Sequence, residues 1–525
     1  MNQEKETFFD KNTLIAIFLL GLCWVGWDYY MKKKYPGQAK QEQSEAQTKA
    51  EEASPSNISS VKTADQKIKS KGKETTYVFS GEKMEFVLSS FGMGFKEIRL
   101  KSFFDRDKQP VVFKNEEAPP LSATGLLKTE ELIPFKVRRE KNKFIGHYAS
   151  KNLEVTKILE VDEDNFIFKT QIEVSRQSRH FTGLRLFFYQ AVPQSAPKSW
   201  ISKMLFIVGQ DVYGGFVFSE EKSEQIVETE LETPKNYQNL SILGLGSRYF
   251  GQAFLNKSSL LPSGILKKRE KGLQGVVDYK PLTTSPFSLD YEVFYGPKSL
   301  EHLAKRDSRL GKWINFGFFE WLARPLLQLL RGFHKITGNW GFAIILLTFF
   351  VRLLLLPLNI RSYKSMKAMQ KIQPQLQELR EKHKKDPQTL NREMMALMKD
   401  QKANPLGGCL PLMLVQLPVF IALYRVLGES IELYQAPFIL WIRDLSLFDP
   451  WYVLPVLSGA TLFVQQKITP MNVPPAQARL FTLMPLVFSV FMLKLPSGLT
   501  LYIFVSGLFG LIQQFFFVKW KKEKA

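Results

Sequence analysis

The sequence predicts a polytopic α-helical membrane protein with six transmembrane helices, five of which form a core, and a large all-β domain outside the membrane. Apolar runs near the amino terminus and in the last third approach the roughly 20 residues that a spanning helix needs. Between them, short runs alternate between apolar and polar residues, as in half-buried strands. The net charge is +21, and most of it lies after residue 310. The 43 Phe exclude a disordered chain, and two cysteines exclude a disulfide scaffold.

Residues 1–31 contain the first predicted span. The run Leu14–Trp27 carries no charge and is followed by Asp28, Tyr29 and Tyr30. Bulky Trp and Tyr therefore stand where a cleavable signal needs small residues. We therefore expect an uncleaved transmembrane anchor. Residues 32–73 consist mainly of Gln, Ser, Lys, Glu and Ala, which predicts a flexible polar tether.

Residues 74–310 are predicted to form a β-sandwich. Runs such as Lys83–Leu88 and Asn165–Ile172 alternate in polarity and are bounded by turn residues. The segment Gly244–Gly251 is rich in glycine, but it lacks a lysine at the spacing of a phosphate-binding loop, so turn formation is the better interpretation. No paired-carboxylate or metal-ligand motif is apparent. The sequence therefore predicts no enzyme, no metal and no cofactor.

Residues 311–337 are predicted to form an amphipathic helix that lies in the membrane interface. Polar residues recur every three or four positions on an otherwise apolar segment. Pro325 is expected to kink this helix or to begin a second segment. The polar positions are Glu320, Arg324, Gln328, Arg331 and Lys335.

Five further apolar stretches predict a helical core at residues 338–518, followed by a basic tail at 519–525. Each approaches the length of a span, although the third and fourth are short. The stretches are Trp340–Leu358, Leu406–Leu427, Trp451–Val464, Phe481–Leu493 and Leu499–Val518.

The loop 359–405 between the first two of these stretches is predicted to form a helical hairpin. Asp386 as N-cap and Pro387 at the first helical position indicate where its second helix begins. Met366, Met369 and Met394 lie on the apolar seam. Methionine suits adaptable binding surfaces, but a seam that packs on itself explains the pattern equally well.

The distribution of Lys and Arg predicts the orientation. They concentrate in the loop 359–405 and the tail 519–525, whereas the short loops on the opposite side carry only Arg443 and Lys494. The positive-inside rule then places both termini in the cytoplasm and the β-domain outside. Residues 32–34, three lysines, would orient the first helix the other way, but long domains translocate largely regardless of charge.

Arg352 is the candidate functional residue of the core. An arginine inside a span costs about 3 kcal/mol to insert, so it usually faces water or a partner. Thr348 lies one helical turn away. Alternatively, the side chain of Arg352 reaches the cytoplasmic interface, since only about 9 Å of helix lies between Arg352 and the cytoplasmic end of the span. Polar companions that could line one cavity with it are Gln416, Gln465, Ser489, Thr500, Tyr502 and Ser506.

Several motifs in the last two fifths of the chain resemble those of the YidC/Oxa/Alb membrane insertase family, and most closely its Gram-negative YidC branch. The resemblance extends over about residues 310–520. It also includes, more loosely, Tyr249-Phe250 and Tyr295-Gly296-Pro297. The core motifs are Gly338–Gly341, Asn404–Pro411, Gln416-Leu417-Pro418, Gln435-Ala436-Pro437, Asp449-Pro450, Pro496-Ser497-Gly498 and Leu501-Tyr502.

The resemblance implies an insertase and chaperone of the bacterial inner membrane that acts alone or with the Sec translocon. It implies a β-supersandwich outside, and a hydrophilic groove around Arg352 that is open to cytoplasm and lipid. Its partners would be nascent inner-membrane proteins, the Sec translocon, the lipid bilayer, and the ribosome and signal recognition particle pathway. Substrate helices would slide past Leu414, Phe420 and Phe488. Many members have a second aromatic residue after the position of Tyr502, where this chain has Ile503.

Two other functions are consistent with parts of the sequence. A polytopic transporter or channel could bind an anion at Arg352, although no inverted repeat is evident. A membrane-anchored enzyme could act on sugars through the β-domain, but no acid/base pair stands out there.

Overall fold

A computed structural model describes the β-rich part of the chain and most of the helical part. The described residues are 73–115, 119–178, 181–193, 213–220, 222–280, 286–383, 386–401, 410–468 and 475–522; side chains are excluded at 366, 370, 410–414, 475–483 and 517–522. The predicted anchor, nearly all of the predicted tether and the last three residues lie outside this description.

Eighteen described strands form three antiparallel sheets, which confirms the predicted β-sandwich. The sheet orders are β1-β2-β3-β4, β13-β16-β17-β10-β5 and β12-β11-β14-β15-β18-β9-β8-β7-β6. The strands are β1 Thr76–Ser80, β2 Met84–Ser89, β3 Phe95–Phe104, β4 Pro110–Lys114, β5 Ala123–Leu126, β6 Lys136–Glu140, β7 Lys143–Ala149, β8 Leu153–Asp162, β9 Ile167–Gln177, β10 Leu184–Ala191, β11 Gly214–Ser219, β12 Lys222–Val227, β13 Lys235–Tyr237, β14 Leu240–Gly246, β15 Phe250–Asn256, β16 Ser263–Arg269, β17 Gly272–Tyr279 and β18 Phe287–Pro297.

Aromatic side chains from several strands fill the space between the sheets. The ring of Phe95 lies 4.4 Å from that of Phe168 and 5.8 Å from that of Tyr295, measured between centroids. The Tyr295 hydroxyl lies 2.6 Å from the Ser122 hydroxyl, so its polar atom is satisfied inside the core. Buried aromatic pairs of this kind add to the stabilisation that burial alone provides.

A lysine is also part of this core. The alternation of β8 places Lys157 on the inward face, where only 1% of the residue is exposed. Its Nζ lies 3.0 to 3.1 Å from four acceptors, of which its three N–H groups can serve three at a time. They are the carbonyl oxygens of Gly92, Met93 and Ser122 and the hydroxyl Oγ1 of Thr124. The amino group therefore joins the loop before β3 to the residues at the start of β5.

The glycine-rich segment at residues 244–251 is a hairpin between β14 and β15, as predicted. Its turn is closed by the bond from Ser247 N to Phe250 O, at 2.8 Å. The glycines leave room for an indole: a Cβ at Gly251 would lie 2.5 Å from Trp313 Cη2, and one at Gly244 would lie 3.0 Å from Trp313 Cζ2. Trp313 thus packs the segment after the β-domain onto this hairpin.

Substituting Gly251 tests that packing. Gly251→Val is expected to lower the free energy of unfolding by about 1 to 3 kcal/mol, because the branched side chain displaces Trp313. Gly332→Ala is the control, since a Cβ there meets no atom within 4 Å and alanine favours a helix by about 1 kcal/mol. Chemical denaturation of the detergent-solubilised protein measures both. Equal stability of Gly251→Val and wild type would contradict the packing.

The rest of the described chain is helical. The first two helices connect the β-domain to the core, the third is the first helix of the core, the next two form the hairpin, and the last four follow it. The helices are α1 Leu300–Arg306, α2 Glu320–Thr337, α3 Trp340–Leu354, α4 Leu356–Lys382, α5 Pro387–Asp400, α6 Leu410–Glu429, α7 Val453–Ile468, α8 Pro475–Met492 and α9 Ser497–Lys522.

The predicted interfacial helix at 311–337 is shorter than expected. Its α-helical part begins at Glu320, because Gly317 has a φ of 71° that interrupts any earlier helix. Residues 310–313 form a 3₁₀ turn that packs on the β-domain. Pro325 lies inside α2, so it does not begin a second segment as one alternative predicted. One side of α2 is buried, and apolar side chains including Trp321 and Ile336 are exposed on another.

Only part of the predicted six-span arrangement can be compared with the described helices. Among the described residues, one helix is long and apolar enough to cross a membrane, at 497–516 in α9. A second qualifies if α3 and the first part of α4, which meet at an angle of 55°, are counted as one span.

The β-domain contacts the helical core at one end of the β14–β15 hairpin. Tyr249 Oη donates to the carbonyl oxygen of Gly428 at the end of α6, at 3.1 Å. Tyr434 Oη donates to Phe104 O at 3.0 Å, and its ring lies 4.8 Å from that of Tyr249. In each of these two bonds a tyrosine hydroxyl donates to a backbone carbonyl oxygen of the other part, so the contacts depend on the two tyrosines.

Candidate functional site

Arg352 lies in the last turn of α3 and is half buried. Its Nε and Nη2 both donate to Ser506 Oγ in α9, at 2.9 and 2.6 Å. Helices α3, α7, α8 and α9 contain no Asp or Glu over their described lengths. The guanidinium is therefore held by a neutral hydroxyl, which leaves its charge available to an anionic partner.

Polar side chains of α9 form hydrogen bonds with side chains of three other helices, α3, α4 and α6. Gln416 Nε2 in α6 donates to the Tyr502 hydroxyl at 3.2 Å. Asn359 Nδ2 in α4 lies 3.4 Å from Gln513 Oε1, which accepts the bond. Tyr502, Ser506 and Gln513 are spaced by four and seven residues, so they share one face of α9. This face of α9 and Arg352 form the candidate site.

Four of the predicted companions of Arg352 have other contacts, and two of them, Ser489 and Thr500, donate to the backbone carbonyl oxygens of Pro455 and Pro496 at 2.9 and 3.1 Å. Thr348 is fully buried, and its hydroxyl donates to Ile344 O in its own helix at 2.7 Å. Gln465 packs on α9 one turn beyond Ser506, because a Cβ at Gly510 would lie 2.8 Å from its Nε2. Ile503 is buried beside Tyr502. The structure thus brings Gln416 and Tyr502 together with Arg352, whereas the Thr348 hydroxyl bonds to a backbone carbonyl oxygen of its own helix.

The predicted slide residues belong to α6 and α8. Phe420 is half buried, and Phe488 is exposed with its ring 6.1 Å from that of Phe491. The side chain of Leu414 lies outside the description. Around Phe488, α8 exposes a continuous apolar surface that suits lipid or another apolar helix. Its members are Met484, Leu486, Val487 and Val490.

The hairpin of α4 and α5 has the predicted N-cap and seam. Asp386 Oδ1 accepts from Gln388 N and Thr389 N at 3.1 and 3.2 Å, and Asp386 Oδ2 accepts from Thr389 Oγ1 at 2.6 Å. The bond from the Thr389 hydroxyl, together with the two backbone bonds, holds the pKa of the Asp386 carboxyl below its ordinary value. Met369 and Met394 pack against a small buried cluster on α4, so these two methionines serve the seam. The side chain of Met366 is not among those described.

Three features of the site do not follow from the sequence. Ser506 is one of several polar residues in the sequence, and the structure shows that it is the direct partner of Arg352. The contact between Asn359 and Gln513 is also new, although the spacing of polar residues along α9 indicates a polar face there. Met395 is exposed on α5, opposite the seam. It is a better candidate for binding than the seam methionines.

The chain matches two family profiles. Residues 332–524 match the profile described as 60Kd inner membrane protein, and residues 141–329 match the YidC periplasmic domain. A membrane protein insertase YidC from Geotalea daltonii is 44% identical over 310 residues, which span 58% of this chain and 58% of that relative. One from Campylobacter jejuni is 30% identical over 543 residues, covering 98% of this chain and 97% of the relative.

Solved structures are similar at lower identity. A crystal structure of an active YidC insertase with its first transmembrane domain resolved is 19% identical, with a TM-score of 0.37. The match covers 84% of this chain and 94% of that one.

Proposed function

This chain belongs to the YidC family of membrane proteins, and from that premise we propose that it inserts helical proteins into the bacterial inner membrane. Its relatives from Geotalea and Campylobacter are membrane protein insertases by name. The family also supports a β-sandwich on the periplasmic side and a helical region after it. We further propose that both termini are cytoplasmic and that six helices span the membrane.

The observation that carries the proposal is the environment of Arg352. Its guanidinium is half buried and bonded to the hydroxyl of Ser506 rather than to a carboxylate. A positive charge in a low-dielectric environment attracts a carboxylate much more strongly than it would in water. We infer that this arrangement forms part of a hydrophilic groove that receives the acidic or polar segment of a substrate.

The proposed reaction is physical transfer, without bond chemistry or nucleotide hydrolysis. Transfer of a polar segment across lipid is opposed mainly by desolvation, which polar groups such as Tyr502 and Gln416 reduce. The apolar segment of the substrate then partitions into lipid, and this partitioning drives the process. In the proposed path it leaves across the exposed surface of α8, near Phe488.

Cooperation with the Sec translocon, a chaperone role and contact with ribosomes or the signal recognition particle pathway are further parts of the proposal. Exposed Met395 on the hairpin suits the first contact with an apolar substrate segment on the cytoplasmic side. The basic residues of the tail 519–525 suit ribosomal RNA, whose phosphates attract them.

Site-specific crosslinking to a stalled nascent membrane protein tests the proposed path. Photoreactive residues at Leu414, Phe420, Phe488 and Ile503 are expected to crosslink to the substrate helix. Val456 is the control, since it is equally apolar and more exposed than Phe488 but lies on α7. Crosslinks of equal yield from Val456 and Phe488 would contradict a defined path, because general lipid exposure would then explain both.

A further inference from the structure

The loop between α6 and α7 exposes large apolar side chains at one end of the helical core. We call residues 438–452 the aromatic loop. Leu440 is 80% exposed and Trp451 is 67% exposed. Ile439, Phe448 and Tyr452 are also exposed. Side chains of this size are rarely grouped on a surface that contacts only water.

The loop holds these side chains outward in a fixed arrangement. The indoles of Trp441 and Trp451 stack at 5.2 Å, and Trp441 Nε1 donates to Asp449 Oδ1 at 2.8 Å. Leu440 and Tyr452 have φ angles of 55° and 57°, which non-glycine residues seldom adopt. Such strain persists only where the surrounding structure imposes it, and it is associated with function.

The position of the loop relative to the helices fixes its depth. Leu447 O and Leu445 O accept from Ser497 N and Gly498 N at the start of α9, at 2.6 and 2.9 Å. The same region is bonded to the start of α3, where Asn339 Nδ2 donates to Phe438 O at 3.2 Å. The loop therefore lies level with the amino-terminal end of α9, and α9 is long and apolar enough to cross a membrane.

The apolar surface of the loop continues onto an exposed apolar surface of helix α7. Helix α7 begins directly after Tyr452, and it exposes Val456, Leu457, Phe463 and Val464. Two exposed cations, Arg443 and Lys494, lie in the loop and just before α9. Tryptophan and tyrosine concentrate where hydrocarbon meets the headgroups, and nearby cations contact the lipid phosphates.

We propose that the aromatic loop is a phospholipid-binding platform that anchors the core in the outer leaflet. Leu440 and Trp451 enter the boundary between headgroups and acyl chains, and Arg443 and Lys494 contact phosphates. The continuity with α7 and the paired cations favour phospholipid over a second copy of the chain. The inference rests on α9 crossing the membrane, its assignment to the outer leaflet rests on the proposed orientation, and it does not require insertase activity.

Nitroxide accessibility in vesicles tests this placement. The full-length protein with Cys23→Ser and Cys409→Ser is labelled at Leu440→Cys and reconstituted with phosphatidylethanolamine and phosphatidylglycerol. Leu508→Cys in α9 marks the hydrocarbon. Leu261→Cys is the matched control, because Leu261 is also an exposed leucine. It follows Asn256, the last residue of β15, whereas Phe250, the first residue of that strand, contacts Tyr434 of the helical core. Accessibility to oxygen and to a water-soluble nickel chelate is compared by power saturation.

The expected ratio of oxygen to nickel accessibility at residue 440 is severalfold above that at 261 and below that at 508. A ratio equal to that at 261 would place the loop in water and overturn the proposal. Low accessibility to both reagents would mean that protein covers the loop, which would also overturn it. The double variant Arg443→Gln, Lys494→Gln is expected to raise the ratio at residue 440, because without the phosphate contacts the loop can move deeper into the hydrocarbon. An unchanged ratio would refute the phosphate contacts. These measurements need no substrate, so they are separate from any failure of insertion.

Discussion

Arg352→Ala is expected to reduce insertion of substrates with acidic translocated segments by about tenfold or more, while apolar substrates lose much less. A charge-assisted hydrogen bond contributes about 1.5 to 3 kcal/mol, and about 1.4 kcal/mol corresponds to tenfold. The alanine removes the charge and also leaves the Ser506 hydroxyl without its donor. Protease protection of the translocated segment in vesicles that contain only this protein measures the effect.

Three further variants separate charge from structure. Arg352→Lys keeps the positive charge but loses one of the two bonds to Ser506, so we expect it to retain most activity. Ser506→Ala keeps the arginine and removes only its support, and a severalfold loss is expected. Thr348→Ala removes a bond within α3 and is expected to have little effect on the preference for acidic segments.

Equal loss for acidic and apolar substrates in Arg352→Ala would count against charge attraction and in favour of a structural role. Anion flux through vesicles that contain only this protein, abolished by the same substitution, would favour the transporter or channel. The two measurements use the same vesicles, so they distinguish the two functions directly.

Lys157→Met is expected to destabilise the β-domain by about 3 kcal/mol. The substitution removes the donor that four buried acceptors share, and among them Gly92 O retains the backbone N–H of Thr124 at 2.9 Å. Each buried acceptor that is left unsatisfied costs about 1 kcal/mol or more. Hydrogen exchange of the amides in β8 and β9, measured on the detergent-solubilised protein, reports the change.

The stabilising effect of Lys157 is also expected to depend on pH. Burial lowers the pKa of the Lys157 ammonium from 10.5 to about 7. Between these values the unfolded chain binds a proton that the folded chain lacks, so the free energy of unfolding rises with pH. This contribution is lost as the pH falls through about 7. The difference between wild type and Lys157→Met should therefore increase from pH 7 upward.

Lys169→Met is the control for both effects. Lys169 lies on β9, paired with Glu160 of β8, and its side chain is exposed. Its substitution should change the free energy of unfolding by less than about 0.5 kcal/mol at every pH. If Lys157→Met unfolded no more easily than Lys169→Met, the bonds of Lys157 would have no net stabilising effect.

The β-sandwich could be predicted because its signal is local. Alternation along β8 is visible in the sequence, and it even places Lys157 on the buried face. The pairing order of the strands could not be predicted, because residues distant in the chain decide it: β18 lies between β15 and β9. The role of Gly251 was equally hidden, since Trp313, whose ring requires it, lies more than 60 residues away.

The candidate site was predictable at its centre and less so around it. Arg352 stood out because an arginine in an apolar run is costly, whatever surrounds it. Its partner could not be chosen from the sequence, because Thr348, Ser506 and several others carry equivalent polar groups. The structure resolves this through geometry: Thr348 bonds within its own helix, and Ser506 accepts from the guanidinium.

The break at Leu355 between α3 and α4 places Arg352 close to a bend and the hairpin far from it. Helix α4 has 27 residues and is therefore about 40 Å long, and Arg352 lies three residues from the pivot. A rotation of about 10° there would move the far end of α4 by about 7 Å, and Arg352 by less than about 1 Å. In the proposed function, a rotation of this size would bring the hairpin to a substrate while Arg352 stays in place.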